Sequence, residues 1–430
     1  MGNSLHMCFG GPKEGDDTSQ RSPMQDSDER DAGAHGKKHK RLSLCADRPI
    51  PDDFVWGANL GTGAFAKVVH ARVKSAAARA KLRLPADASD DFAIKVMDKQ
   101  DVVKANKMKY VMSERDCLAR LLHPHVVALA LTFQDECFLY FCFELATGGT
   151  LLDVVQRARA AAEPARALAP ADAAFYAAEL ALALRHCHVS EIIHRDLKPE
   201  NVLVMADGHL KLTDFGTARD ERKARAAAAA GDADAERADS FVGTAEYISP
   251  EVMAGEPATR AADLWAFGVI VFQLITGLAG PFSRDSPVAT LRAIEWYDDG
   301  ATWFGDDGDG AEDDDDDACA AAARAAARSL PVSARALVGA LLRIAPHERL
   351  GVRAAGAVGD GDVREAYVEL ARHAFFGGLL ARAMPSGGDD ELANAKLAAE
   401  PPFKPGANTH LVRKSKMQSH AKKRLSLMVA

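Results

Sequence analysis

The 430-residue sequence has no apolar run that approaches the roughly 18–20 residues needed to span a bilayer, which excludes an integral membrane protein. The N-terminus has no apolar signal core, so we do not expect secretion. Cysteine is scarce, since only seven are scattered along the chain and no C-x-x-C pair occurs. An odd number of dispersed thiols is typical of a reducing compartment and argues against a disulfide framework or a zinc site. We therefore expect a cytoplasmic protein.

Basic residues are absent from one strongly acidic stretch. Residues 306–317 carry nine carboxylates. Because the whole chain has a net charge of −8, the rest of the chain has a net charge of +1. The opposite holds in residues 406–430, which contain six Lys and Arg but no carboxylate and no aromatic. Because nucleic-acid sites usually combine basic residues with aromatic ones, we expect no nucleic acid as a partner.

Hydrophobic periodicity divides the chain into two regions. Residues 54–145 alternate apolar and polar positions around a glycine turn, and a helical pattern at 107–122 interrupts them. From residue 150 onward helical patterns dominate, most clearly at 170–189, 260–277 and 333–343. These patterns predict an α+β protein in which a small β-rich lobe with one helix precedes a larger helical lobe.

Several segments without this periodicity are predicted to lie outside the two lobes. Residues 1–50 are polar and poor in aromatics, so we expect a disordered tail, and residues 75–90 are expected to form a loop. Three low-complexity stretches are interpreted as insertions: 220–238, 305–328 and 351–361. Residues 377–430 are interpreted as a C-terminal tail that is basic from residue 406.

A glycine turn and a lysine suggest phosphate chemistry. Gly61 and Gly63 would let backbone N–H groups approach a phosphate, although many β-turns have similar sequences. Lys95 lies on a predicted strand, where a buried ammonium needs an acidic partner, and Glu114 on the next helix could supply it. The two residues could form an ordinary surface ion pair. Alternatively, Lys95 grips the phosphates of a nucleotide while Glu114 orients it.

The run IHRDLKPEN at 193–201 decides between these interpretations. Asp196 can accept a hydroxyl proton, Lys198 can neutralise a migrating phosphoryl group, and Asn201 offers an oxygen ligand for Mg²⁺. Asp214, in Asp-Phe-Gly, adds a second metal-binding oxygen donor, and Glu251 follows in Ser-Pro-Glu. A chance match to these motifs, in this order, is very improbable.

With these motifs the sequence resembles the eukaryotic protein kinases over residues 54–376, with an N-lobe at 54–145 and a C-lobe at 150–376. The resemblance implies the two-lobed kinase fold, ATP and Mg²⁺ as cofactors, and the serine/threonine form of the catalytic loop, because Lys198 follows Asp196. It implies that Asp263 braces the catalytic loop and that Glu251 pairs with Arg349. The catalytic residues would be Asp196, Lys198, Asn201, Asp214, Lys95 and Glu114, with Asn201 and Asp214 holding the metal. The nucleotide site would comprise Leu60, Gly61, Thr62, Gly63, Ala64, Phe65, Val68, Ala93, Lys95, Glu144 and Ala146.

Two longer motifs, DFGTAR at 214–219 and SFVGTAEYISPE at 240–251, resemble the AGC group and, within it, the 3-phosphoinositide-dependent protein kinases. The resemblance implies a self-phosphorylated Ser240 held by Arg195 and Arg219, although Ser113 stands where an arginine is usual. It also implies a groove that docks the phosphorylated hydrophobic motif of substrate AGC kinases. The groove residues would be Lys99, Val102, Val103, Arg115, Thr132, Gln134 and Leu139, with Arg115, Thr132 and also Arg48 near its phosphate site. The alternative is that Val102, Val103 and Leu139 are simply core residues.

Other functions and locations stay open at this point. The chain could be an AGC-type kinase with non-kinase substrates, or a nucleotide-binding pseudokinase scaffold. Gly2 could be myristoylated and Cys8 acylated, but His6 replaces the usual Ser or Thr of that motif. Because a single acyl chain binds a membrane only marginally, peripheral attachment would need a second signal, such as the basic tail.

Overall fold

The structure is a computed structural model that describes residues 48–63, 65–161, 168–231, 244–299, 318–352, 362–384, 397 and 400–402. Five antiparallel strands form the N-terminal sheet in the order β1-β2-β3-β5-β4. The strands are β1 Phe54–Thr62, β2 Ala66–Val73, β3 Asp91–Asp98, β4 Leu129–Gln134 and β5 Phe138–Glu144. One face buries a ring stack in which Phe133 lies 4.4 Å from Tyr140 and 5.7 Å from Phe54, between ring centroids. This stack forms the core of the small lobe.

The segment predicted as a loop at 75–90 contains a helix, so that prediction was wrong. Helix α1 spans Ala76–Lys81, and the Ser75 side chain accepts a hydrogen bond from the backbone N–H of Ala78 at its start. Ala78 and Leu82 are buried in the core of the small lobe. The helix forms because its apolar positions have a core to pack against, which the alanine- and lysine-rich composition does not reveal.

Two further helices follow β3 and position charged residues beside the sheet. The helices are α2 Lys99–Lys104 and α3 Met108–Arg120. The Asp98 side chain caps α2 by accepting from the backbone N–H groups of Gln100 and Asp101. Glu114 is buried on the inner face of α3. The helical pattern at 107–122 therefore corresponds to α3.

The large lobe is helical, as expected, and the predicted α+β fold class is confirmed. The helices at Pro170–Val189 and Arg260–Thr276 are apolar on nearly all sides, which is typical of helices buried at the centre of a lobe. The helices are α4 Leu151–Ala161, α5 Pro170–Val189, α6 Glu221–Ala229, α7 Pro250–Met253, α8 Arg260–Thr276, α9 Pro287–Glu295, α10 Ala318–Ser329, α11 Val332–Leu341, α12 Val363–Arg372 and α13 Leu379–Ala383. Two small sheets pair β6 Ile192–Ile193 with β9 Arg219–Asp220, and β7 Val202–Val204 with β8 Leu210–Leu212. None of the described helices is long and apolar enough to cross a membrane.

Helix α10 packs against the large lobe, although its sequence belongs to the stretch at 305–328 that was interpreted as an insertion without a core. Ala323 and Ala327 lie in the main hydrophobic cluster, and Ala320 is also buried. These alanines recur at intervals of three and four residues, so they share one face of the helix. The second part of the stretch is thus a packed element, whereas 300–317 lie outside the described residues.

Candidate active site

Strand β3 and helix α3 bring Lys95 and Glu114 together beneath the glycine turn. The Lys95 ammonium donates to both carboxylate oxygens of Glu114, at 2.6 and 2.8 Å. A carboxylate oxygen of Asp214 lies 3.9 Å from the same nitrogen. Burial acts to lower the pKa of Lys95, but the Glu114 and Asp214 carboxylates outweigh it and raise that pKa above its ordinary value. Lys95 is therefore held as a cation between two acidic residues.

The catalytic loop is anchored by one buried carboxylate at the start of α8. Asp263 accepts hydrogen bonds from the backbone N–H groups of His194, at 2.8 Å, and Arg195, at 2.9 Å. These bonds hold Arg195 in the left-handed region, at φ 68°, which is unfavourable for a residue with a side chain. His188 Nε2 lies 2.9 Å from Asp263, and Tyr367 donates to the other ring nitrogen at 2.8 Å. Burial acts to raise the pKa of Asp263, but the hydrogen bonds from His188 and His194 lower it.

Three polar side chains converge in the catalytic loop beyond this anchor. The Lys198 ammonium donates to Asp196 Oδ2 at 2.6 Å, and Asn201 Nδ2 donates to the same oxygen at 3.1 Å. Asn201 Nδ2 also donates to the backbone carbonyl of Asp196 at 2.8 Å. The Lys198 ammonium also donates to the Thr244 hydroxyl at 3.2 Å. Thr244 belongs to the activation segment, the stretch at 214–251 from the Asp-Phe-Gly motif to the Ser-Pro-Glu motif. Asp196 is consequently fixed beside the Lys198 ammonium.

Asp214 is placed by a left-handed backbone and by the aromatic residue that follows it. Its φ is 63°, and its side chain is 52% exposed. Phe215 is fully buried, with its ring 4.9 Å from that of His194. The backbone N–H of Thr213 donates to the carbonyl of Asn201 at 2.9 Å. This bond joins the segment that carries Asp214 to the catalytic loop.

The donor chemistry of Asn201 and Asp214 fits a magnesium ion. Because Asn201 uses its amide nitrogen to bind Asp196, its oxygen is left as a ligand, and Asp214 supplies an exposed carboxylate. Mg²⁺ commonly takes one or two protein oxygens and completes its shell with phosphate and water oxygens. Within the described part of the chain, no group of three or more His, Cys, Asp or Glu could hold a metal by itself.

The glycine turn between β1 and β2 is closed by backbone and side-chain bonds. The N–H of Gly63 donates to the carbonyl of Ala66 at 2.7 Å. The Asn59 side chain accepts from the backbone N–H of Gly61 at 3.0 Å and donates to the Thr62 hydroxyl at 3.1 Å. A Cβ atom on Gly61 would meet nothing within 4 Å, so the space beside the turn is open. This open space is suited to a phosphate that approaches the backbone closely.

The other predicted nucleotide-site residues lie on or beside the strands of the small lobe, or outside the described residues. Ala64 lies outside them, and Phe65 at the tip of the turn is 44% exposed. The Glu144 side chain accepts from the backbone N–H of Ala128, at 2.7 Å, and from Lys211, at 2.8 Å. The remaining residues lie on β1 to β3 and at or after the end of β5: Leu60, Val68, Ala93, Glu144 and Ala146.

Comparison with known proteins agrees with this geometry. The family model described as "Protein kinase domain" matches residues 54–358. The chain belongs to the protein kinase family. It is 41% identical over 244 residues to 3-phosphoinositide-dependent protein kinase 1 of Rattus norvegicus, covering 57% of this chain and 39% of that protein.

Other relatives agree with this assignment. The Arabidopsis thaliana protein of the same name is 36% identical over 264 residues, which cover 61% of this chain and 50% of that protein. The serine/threonine-protein kinase Sgk1 of Rattus norvegicus is 35% identical over 237 residues, which cover 55% of this chain and 48% of that protein. The predicted resemblance to the AGC kinases is confirmed, and the match spans two fifths to one half of the length of these relatives.

The predicted phosphorylation site of this kinase, Ser240, lies outside the described residues. Of the two arginines expected to hold its phosphate, Arg195 donates from Nε to the carbonyl of Thr217 at 2.6 Å. Arg219 lies on β9, paired with Ile193 beside the catalytic loop. Arg219 therefore lies near the start of the activation segment, and Arg195 lies just after β6, the strand that pairs with β9.

The predicted docking groove is divided between buried and exposed residues. Val102 and Leu139 are buried with Met97 in a small hydrophobic cluster, which agrees with the alternative that they are core residues. Val103 is 63% exposed, and the Lys99 ammonium donates to the carbonyl of Asp135 at 2.5 Å. The residues lie on α2, α3, β4 and β5 of the kinase: Lys99, Val102, Val103, Arg115, Thr132, Gln134 and Leu139. Arg48 lies at the start of the described chain and is exposed.

Sequence reasoning missed the residues that join the activation segment to α3. Lys223 and Asp220 on the activation segment bind Asp116 and Arg120 of α3. The only signal in the sequence is that Asp116 and Arg120 lie four residues apart, on one side of the helix. Tyr367, which supports the kinase's catalytic loop through His188, was also missed, because no local pattern connects α12 to α5.

Proposed function

We propose that this kinase transfers the γ-phosphoryl group of Mg-ATP to serine or threonine hydroxyls of proteins. The observation that carries the proposal is the placement of Asp196 beside Lys198 and Asn201, at 2.6 and 3.1 Å, in a loop anchored by Asp263. A lysine two residues after the catalytic aspartate is the serine/threonine form of this loop.

Each of the polar residues described above for the site has a role in this chemistry. Asp196 orients the substrate hydroxyl and accepts its proton as the new oxygen–phosphorus bond forms and the bond to the β-phosphate oxygen breaks. Lys198 neutralises charge on the transferred group, and Lys95, oriented by Glu114, grips the α- and β-phosphates. Asn201 and Asp214 would hold Mg²⁺, which neutralises charge on the phosphates when bound. The open space beside Gly61 supports nucleotide binding at the turn.

The substrates that we propose are activation-loop Ser and Thr residues of other AGC kinases. The proposal is supported by the similarity to proteins named 3-phosphoinositide-dependent protein kinase and by the exposed Val103 beside Lys99 on α2. In this proposal the groove docks the phosphorylated tails of substrate kinases.

Activation by phosphate at Ser240 is part of the same proposal. A phosphate adds close to two negative charges, and Arg195 and Arg219 lie at the base of the segment that carries Ser240. Cytoplasmic location, with acylation at Gly2 or Cys8 or the basic tail as an additional membrane signal, is also a proposal from the sequence.

The test uses the purified full chain with Mg-ATP and two peptides that carry the same activation-loop threonine. One peptide is fused to a phosphorylated hydrophobic-motif tail and the other is not. We expect transfer to both, at least tenfold faster to the tailed peptide, and a loss of more than a thousandfold in Asp196→Asn. Equal rates on both peptides would reject the docking groove and favour a kinase with other substrates. No transfer by either the wild type or Asp196→Asn would favour the scaffold.

A separate measurement tests Ser240. Intact-mass analysis of the wild type and Ser240→Ala after expression should differ by one phosphate, and Asp196→Asn should lack that phosphate as well. Identical phosphate content in the wild type and Ser240→Ala would refute self-phosphorylation at this position.

A further inference from the structure

Helix α6 begins five residues after the Asp-Phe-Gly motif, within the stretch at 220–238 that the sequence predicts to be a low-complexity insertion. It is short and basic at its start, with Arg222, Lys223 and Arg225 in its first turns. Asp220 caps it by accepting from the backbone N–H groups of Arg222 and Lys223. The helix therefore has a fixed beginning, immediately next to β9.

Two ion pairs connect this helix and its cap to α3. The Lys223 ammonium donates to Asp116 Oδ2 at 2.6 Å. Arg120, at the end of α3, pairs with the buried carboxylate of Asp220. Arg120 also donates to the backbone carbonyl of Ser190. The activation segment is thus fastened to α3 at two positions, one on α6 and one at its cap.

A second set of contacts fastens α6 to the large lobe. Arg222 Nε donates to Glu191 Oε1 at 3.2 Å, and Arg225 pairs with the other oxygen of the same carboxylate. The backbone N–H of Glu221 donates to the carbonyl of Glu191 at 3.0 Å. Glu191 follows α5 and belongs to the turn that leads into β6. Since one side of α6 binds the large lobe and Lys223 binds α3, the helix bridges the two lobes.

The position of α3 matters because it carries Glu114, which lies two residues before Asp116 and orients Lys95. A shift of α3 away from the sheet would separate Glu114 from Lys95 and weaken the grip on the nucleotide phosphates. The ion pair at Asp116 lies about half a helical turn from Glu114 on the same helix, and the ion pair at Arg120 lies about one turn further along it.

We propose that α6 is a clamp that holds α3 in the position in which Glu114 contacts Lys95, and that Lys223, Asp116, Arg120 and Asp220 are positioning residues for phosphotransfer. The clamp rests on the proposed kinase function for its effect on rate, although its effect on α3 can be measured without any substrate. It works through fixed charges of this chain and needs no phosphate at Ser240.

Adjacent residues of α6 give a matched pair of variants. Lys223 and Arg222 have similar side-chain exposure, 58% and 56%, and Gln preserves the helix equally well at both positions. Lys223→Gln removes the contact with α3, whereas Arg222→Gln removes one with the large lobe. Lys223→Arg restores a cation and should behave as the wild type.

Hydrogen exchange of the backbone amides of residues 108–120 is the primary measurement. Lys223→Gln should raise their exchange rate about threefold, and Arg222→Gln should not. The double variant Asp116→Asn/Lys223→Gln should equal Asp116→Asn alone, because loss of the carboxylate already removes the ion pair with Lys223. Equal exchange in Lys223→Gln and Arg222→Gln would overturn the clamp.

Steady-state kinetics then separate positioning from general destabilisation. Lys223→Gln should raise KM for ATP about twofold to fivefold, the scale of one exposed ion pair, with an unchanged melting temperature and an unchanged KM for the peptide. A rise in the peptide KM alone would also reject the clamp. If the wild type transfers no phosphate, the kinase proposal fails while the exchange experiment still decides the clamp.

Discussion

Replacement of Arg349 by methionine should destabilise the large lobe more than a typical core substitution. All five guanidinium donors are used: two bind Glu251, at 2.7 and 2.6 Å, and three bind the backbone carbonyls of Arg343, Ile344 and Ala261, at 2.7, 3.1 and 3.0 Å. Both side chains are nearly inaccessible to water, at 0% for Arg349 and 5% for Glu251. The pair therefore lies in a part of the lobe from which water is almost excluded.

The expected magnitude follows from what remains after the substitution. Arg349→Met leaves the Glu251 carboxylate buried without its partner, which costs about 3–5 kcal/mol of unfolding free energy. For a lobe of this size that loss corresponds to a melting temperature lower by about 6–20 °C. Replacing both residues, as in Glu251→Leu with Arg349→Met, should recover part of the loss because no buried charge is then left over.

Urea unfolding followed by tryptophan fluorescence measures this effect directly, since the Arg349 guanidinium lies 5.0 Å from the buried Trp265 ring. Arg343→Met is the matched control, because Arg343 is 36% exposed and pairs with Glu348 at the surface. The control should change the unfolding free energy by less than about 1 kcal/mol. A value for Arg349→Met within about 1 kcal/mol of the wild type would refute the reasoning.

Three shorter predictions test other parts of the lobe. Tyr367→Phe removes the hydrogen bond to His188 and should cost about 1–3 kcal/mol by urea unfolding, with a several-fold loss in kcat and no change in KM for ATP. Burial, with smaller contributions from neighbouring histidines, lowers the pKa of His123 to about 2, so the unfolded chain binds a proton there that the folded chain does not. Stability should therefore fall by about 2 kcal/mol from pH 6.5 to pH 5, and His123→Asn should flatten that dependence in unfolding measured at both pH values. Gly268→Ala would place a Cβ 2.9 Å from the Cβ of Leu341 and should destabilise by about 1–3 kcal/mol on thermal unfolding, although alanine favours helix; a melting temperature at or above the wild type would reject this.

The catalytic centre could be predicted from the sequence because its chemistry is concentrated in short segments. Asp196, Lys198 and Asn201 lie within six residues, so their spacing alone places three functional groups at one site, and the structure brings them within hydrogen-bond distance. The long helices could be predicted for a related reason. Their apolar residues repeat within one element, so α5 spans Pro170–Val189, the range that the pattern indicates.

The parts that escaped prediction depend on partners far away in the chain. Helices α1 and α10 are rich in alanine, and a buried alanine cannot be distinguished from an exposed one until the surface opposite it is known. Ala327 is buried only because the large lobe offers it an apolar surface. Composition was therefore a poor guide to which low-complexity stretches belong to the fold.

Ion pairs between distant parts of the chain could not be predicted from the sequence for the same reason. Lys223 and Asp116 are 107 residues apart, and each could equally be an ordinary solvated residue on a helix surface. Even Arg115, predicted from the docking resemblance, was not expected to bind Asp116, at 2.6 and 2.9 Å, beside Lys223. Because both cations share one carboxylate, the predicted docking groove and the activation segment meet at Asp116. A motif identifies the residues that perform the chemistry, but the residues that fix the position of one lobe relative to the other can be recognised only from the folded structure.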